Sequence, residues 1–133
     1  MADLVFFYGT LMTGFDRRRR AGIEGHLLFR GRGWIRAQLF DLGIYPAAVP
    51  AHDGRVWGEI YEVLDVPRVL RVLDEIEGHS PDAPEQSLYL RERVPATLDD
   101  GTSLDVWVYF YNAPLGRAPQ IASGDYLEHV RVR

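Results

Sequence analysis

Leu4-Val5-Phe6-Phe7-Tyr8-Gly9-Thr10-Leu11 begins as a wholly apolar run and stops abruptly at a glycine. Apolar residues in succession, without alternation, predict a strand buried on both faces. Its sudden end leaves several backbone N–H groups free. Successive amides in such a turn can hold an anion without any charged side chain. Gly9 lets a ligand approach the backbone closely, and Thr10 adds a hydroxyl. Strand-glycine-turn is a common arrangement, so by itself this stretch marks a candidate site and nothing more.

Outward from this strand, the chain alternates short strand patterns with few helical ones. Asp16 to Gly22 reads as a short helix or turn carrying Arg17, Arg18, Arg19 and Arg20. Leu27 to Leu42, with Gly31 and Gly33, reads as one or two bent strands, and Asp41-Leu42-Gly43 and Tyr45-Pro46 read as loops. Val56 to Val63 is a further strand. Tyr89 to Leu98 and Leu104 to Tyr111 form a hairpin pattern around Asp99-Asp100-Gly101. In the second arm, Val106, Val108 and Phe110 share one face and Trp107, Tyr109 and Tyr111 the other, which predicts a central strand. Ser123 to His129 reads as a last helical turn. Strands outnumber helices and most connections are short. The expected class is α+β: a small, strongly curved β-sheet or β-barrel with flanking helices, in one domain over residues 1–133.

Composition narrows the chemistry. The 133 residues contain no cysteine, so disulfides, thiolate metal sites and a cysteine nucleophile are excluded. All 15 basic residues other than histidine are arginine, which excludes a Schiff-base or P-loop lysine. The net charge of -4 disfavours general binding to nucleic acid or to an anionic membrane. No apolar run approaches the ~20 residues needed to span a bilayer, and Met1-Ala2-Asp3-Leu4 has no signal-peptide pattern. A cytoplasmic protein is expected. His26, His52, His79 and His129 are scattered without ligand spacing, so no metal site is expected.

Asp65 to Ile76 is the strongest helical pattern. Asp65 is the expected N-cap, Pro67 sits in the first turn, and Gly78 follows the last periodic residue. At about 100° per residue, Val66, Val69, Leu70, Leu73 and Ile76 share a face, and Arg68, Arg71 and Glu75 oppose them. Glu77 lies four residues after Leu73 and therefore falls on the apolar face. It also lies at the negative end of the helix dipole. Both burial and dipole raise a carboxyl pKa, toward the ~6–7 that suits acid/base work near neutrality. A glutamate at a helix end also frays into solvent or pairs with an arginine, here Arg91 or Arg93, so the spacing leaves both readings open. Asp74 and Glu75 read as solvated surface, and the 17–20 arginine run as a solvated basic turn.

Tyr8-Gly9-Thr10-Leu11, Leu73-Asp74-Glu75-Ile76-Glu77-Gly78 and Leu88-Tyr89-Leu90-Arg91, in this order, resemble the gamma-glutamylcyclotransferase-like family, whose short members include gamma-glutamylaminecyclotransferases. Gly43-Ile44-Tyr45-Pro46-Ala47, Gly58-Glu59-Ile60-Tyr61 and Ser123-Gly124-Asp125-Tyr126 stand in the expected order too, so the resemblance runs over nearly the whole chain. It implies a small β-barrel with flanking helices. It also implies removal of a gamma-glutamyl group as 5-oxoproline, with release of the attached amine or amino acid. The reaction would be of transferase or lyase type and would need no metal or other cofactor. The resemblance places the acid/base glutamate at Glu77, the substrate loop at Tyr8, Gly9, Thr10 and Leu11, and a further substrate-binding tyrosine at Tyr89. The expected partner is a small gamma-glutamyl amine or amino acid. A non-catalytic or regulatory binder on the same fold is the alternative. Many members carry serine at the position of Thr10. The stretch from His79 to Ser87, with Pro81 and Pro84, is longer than in some; it is expected to border the cleft. Oligomeric state is not legible.

Overall fold

The computed structural model describes residues 2–132. In chain order the strands are β1 (Leu4–Phe7), β2 (Leu27–Ile35), β3 (Ala37–Asp41), β4 (Pro46–Pro50), β5 (Val56–Val63), β6 (Tyr89–Leu98) and β7 (Ser103–Tyr111). The helices are α1 (Arg17–Arg20), α2 (Val66–Glu77) and α3 (Tyr126–Val132), with short 3-10 turns at Glu24–His26 and Pro84–Gln86. Five strands close into a barrel in the order β1-β5-β2-β6-β7, and β3 and β4 form a separate two-stranded sheet. The barrel closes through a parallel bridge between Val5 and Trp107.

Closure of so small a barrel requires strong coiling, and glycine supplies the room for it. Gly33 on β2 and Gly58 on β5 are direct partners. A Cβ on Gly58 would collide with the Phe7 carbonyl and lie 2.7 Å from the Phe6 ring. A Cβ on Gly33 would come 2.5 Å from the Thr97 carbonyl. These are the close backbone approaches that a side chain forbids. β1 is buried at every residue, as its unbroken apolar run predicts. β7 pairs with both β6 and β1. Its Val106, Val108 and Phe110 are buried, and so is Tyr109 on the other face.

Three local expectations are corrected. Pro46 begins β4, which pairs with β3 from Asp41↔Pro46 to Ala37↔Pro50, so only the tip of the expected loop is a loop. Asp65 makes no side-chain cap and takes a left-handed backbone, φ 54. The reason lies upstream: the Val63 and Leu64 amides still bond to Asp3 and His26, so the chain must turn sharply within one residue to enter α2. Asp74 is not solvated surface. Its side chain is 13 % exposed and bonds Arg91 at 3.1 Å and the Tyr109 hydroxyl at 2.6 Å, tying α2 to β6 and β7. No helix among the described residues is long and apolar enough to cross a membrane.

Candidate active site

β1 and β7 end, and β6 begins, at the same end of the barrel. There the C-terminus of α2 and the tip of the β3–β4 hairpin enclose a cavity of about 250 Å³. Tyr8, Gly9, Thr10, Leu11, Glu77 and Tyr89 all line it, together with Arg17, Tyr45, Pro46, Tyr109 and Tyr111. The six residues singled out from sequence are thus brought together. None of residues 79–87 reaches the cavity; Leu88 does. The expectation that the 79–87 segment borders the cleft is therefore corrected. Its ends are held to each other, with the Ser80 amide donating to Ser87 Oγ at 2.7 Å and the Leu88 amide to the Gly78 carbonyl at 3.0 Å. His79 instead accepts from the Arg91 amide and packs edge-on to Tyr109.

Glu77 reaches the cavity because α2 ends one residue later. Gly78 adopts a left-handed conformation, φ 67, and the His79 amide closes on the Asp74 carbonyl. The helix therefore holds its phase up to Glu77 and turns it with Leu73 toward the interior. Arg91 is engaged with Asp74, and Arg93 lies over the Trp107 ring. Among the described residues no hydrogen bond or ion pair engages the Glu77 carboxyl. Burial among tyrosine and apolar side chains pushes it up from the ordinary 4.5 to about 7, and the Arg17 guanidinium opposes that rise.

The tyrosine hydroxyls position the walls. Tyr8 donates to the Tyr109 carbonyl at 2.6 Å, and the Ala48 amide approaches the same hydroxyl at 3.4 Å. Tyr89 donates to the Pro46 carbonyl at 3.0 Å. Burial raises both phenols above their ordinary range, and the Glu77 charge adds to it. Both remain protonated donors near neutrality. Pro46, so fixed, packs on Gly9, where an added Cβ would lie 2.8 Å from its ring. The small residue at position 9 thus admits the hairpin against the loop. The Met12 amide closes a turn on the Gly9 carbonyl, and the Thr13 amide donates to Glu59 at 2.7 Å. Among the described residues, no acceptor engages the amides of Gly9, Thr10 or Leu11.

Sequence reasoning missed Arg17. The run of four arginines does not form a uniformly solvated turn. Arg19 and Arg20 are exposed, but Arg18 is buried against Glu24 and the Tyr61 ring. Arg17 lines the cavity, donates to Thr10 Oγ1 at 2.8 Å and stacks over Tyr45 at 5.0 Å. Four identical residues carry no periodicity, so no pattern separates the inward pair from the outward pair. Glu77 and Arg17 are the charged groups of this cavity wall. Among the described residues, no group of three or more His, Cys, Asp or Glu is placed to hold a metal ion.

Residues 5–128 match the family described as gamma-glutamyl cyclotransferase, AIG2-like. The chain belongs to this family of enzymes. A putative gamma-glutamylcyclotransferase of Methanocaldococcus jannaschii is 30% identical over 128 residues, covering 96% of this chain and 98% of the relative. The gamma-glutamylaminecyclotransferase of Bos taurus is 36% identical over 109 residues, covering 71% of this chain and 56% of the relative. The crystal structure of an AIG2-like protein from Mus musculus superposes with a TM-score of 0.72 at 27% identity, covering 94% of this chain and 88% of that one. The family membership and barrel fold implied by the ordered motifs are thereby established.

Proposed function

We propose that this family member releases 5-oxoproline from a gamma-glutamyl compound, with Glu77 as general acid/base. The observation that supports this most is the state of Glu77: a carboxyl in an aromatic cavity, bound to no protein group among those described, and raised to about 7. Near neutrality it is divided between acid and base, so it can both take and return a proton.

The substrate's α-amine attacks its own γ-carbonyl carbon. A C–N bond forms, the five-membered ring closes, and the original γ-amide C–N bond breaks. Glu77 takes a proton from the attacking amine and delivers it to the departing nitrogen, so the reaction is balanced without any co-reactant. Attack within one molecule lets orientation supply much of the acceleration, since effective molarities reach ~10⁵ M or more. The walls fixed by Tyr8 and Tyr89 provide that orientation. The unengaged amides of residues 9–11 receive the substrate's α-carboxylate or the charge developing on the γ-oxygen. The cavity volume, about 250 Å³, lies just below the usual range of small-molecule sites, which suits a substrate of dipeptide size.

The test is Glu77→Gln, which keeps shape but cannot shuttle a proton. Release of 5-oxoproline should fall by about 10²-fold or more, with folding intact. Near-normal turnover in the folded variant eliminates Glu77 as the base. Absence of turnover in the wild-type protein on every gamma-glutamyl compound offered would favour the non-catalytic binder.

A further inference from the structure

The cavity's cation, Arg17, has no ion-pair partner within bonding distance among the described residues, although its charge acts on Glu77 across the cavity. Arg17 spends one terminal N–H on Thr10 Oγ1 and lays its guanidinium face on Tyr45. A guanidinium carries five N–H donors. Among the described residues no carboxylate pairs with Arg17, although Arg18, Arg20, Arg30, Arg32 and Arg91 all have acidic partners. The side chain is partly exposed, its helix neighbours Arg19 and Arg20 are exposed, and its stacking partner Tyr45 is 42% exposed. Arg17 thus lines the cavity beside an exposed ring, with its remaining donors available to a ligand.

Its fixings suit recognition. The hydroxyl of Thr10 and the ring of Tyr45 hold the guanidinium plane from two sides, one on the substrate loop and one on the β3–β4 hairpin. A planar fork so held is preorganised for two parallel bonds to a carboxylate, the geometry in which arginine is most selective. A neutral amine remnant would leave those donors unmatched. A polyamine would bring a second positive charge beside it.

We propose that Arg17 is a specificity-determining residue that binds a carboxylate carried by the leaving amine, so that the enzyme prefers gamma-glutamyl amino acids to gamma-glutamyl alkylamines. This inference rests on the cyclotransferase reading of the same cavity. Under it, the glutamyl end lies against Glu77 and the loop amides, and the departing half lies at Arg17.

Gamma-glutamyl-alanine and gamma-glutamyl-ethylamine differ only by that carboxylate. Their kcat/KM values should be measured on wild type, Arg17→Gln and Arg17→Lys, with melting temperatures confirming that each variant folds. In wild type the ratio should favour the alanine compound about 10-fold or more, the scale of a charge-assisted pair. Arg17→Gln should bring the ratio close to one, and Arg17→Lys, which keeps the charge but not the fork, should hold an intermediate value. A wild-type ratio near one overturns the proposal. So does an Arg17→Gln variant in which both substrates lose the same factor, because Arg17 would then hold the glutamyl half or support the loop. Calorimetric binding of the same two compounds to Glu77→Gln separates the two readings. A preference for the alanine compound there supports the role of Arg17 even if no turnover is found, and equal binding rejects it.

Discussion

Burying the Glu77 carboxyl with no pairing partner among the described residues destabilises its charged form, and that penalty can be measured apart from turnover. The folded-state pKa, about 7, lies above the ordinary 4.5, so the folded chain binds more protons between these values. The stability linked to this group is fully present below pH 4.5 and is lost as pH rises through 7. Glu77→Gln carries no such dependence. Its stability relative to wild type should be nearly level at pH 4 and should gain on the order of 1–3 kcal/mol by pH 8. Denaturant titrations of both proteins at the two pH values give the answer; a variant equally destabilised at both would mean that the carboxylate makes contacts the fold depends on. The inward direction of Glu77 was legible as one of two readings, because a helical period anchored by Leu70 and Leu73 puts it on the apolar face; that the helix would hold its phase to its last residue was not. The direction of Arg17 was not legible, since its orientation is set by Thr10 and Tyr45, which lie on other elements.

At the scale of elements, α2 is aimed by one polar residue as well as by its apolar face. Asp74 holds Arg91 on β6 and the Tyr109 hydroxyl on β7, and Glu77 follows one turn later. Asp74→Ala would leave a partly buried guanidinium unpaired and a phenol without its acceptor. It should cost about 2–3 kcal/mol, read from thermal or chemical unfolding. A loss below ~0.5 kcal/mol would place the pair among solvated ion pairs that contribute little. Asp74 was misread because it sits at the border of the helical wheel, where periodicity cannot say whether a neighbouring strand will cover it. β4 was hidden for a different reason. Tyr45-Pro46 reads as a loop, yet Pro46 and Pro50 bracket a strand, because a two-stranded sheet leaves each strand one unpaired edge, where a missing N–H is tolerated. Strands β5, β6 and β7 were legible as runs of eight residues or more between turn signals, and helix α2 from its own period.

For the whole molecule, barrel closure depends on space more than on any single attraction. The strand order β1-β5-β2-β6-β7 is beyond sequence patterning, which gives strands but not their neighbours. Gly33 and Gly58, partners across β2 and β5, are where that order is most sensitive. A methyl group added at Gly58 meets the Phe7 backbone carbonyl, which cannot swing aside as a side chain does. Gly58→Ala should therefore cost about 2 kcal/mol or more and lower the melting temperature by several degrees. A melting curve superimposable on wild type would show that the barrel can open there without penalty. The β3–β4 hairpin, by contrast, stands outside the barrel ladder and meets the site through the hydroxyls of Tyr8 and Tyr89. That arrangement divides the chain's evolutionary constraints. Residues 42–45 can change or lengthen while every barrel strand keeps its partner. On the proposed cyclotransferase reading, changes in a short surface hairpin would then alter which leaving group fits while Glu77 and the barrel ends stay where they are.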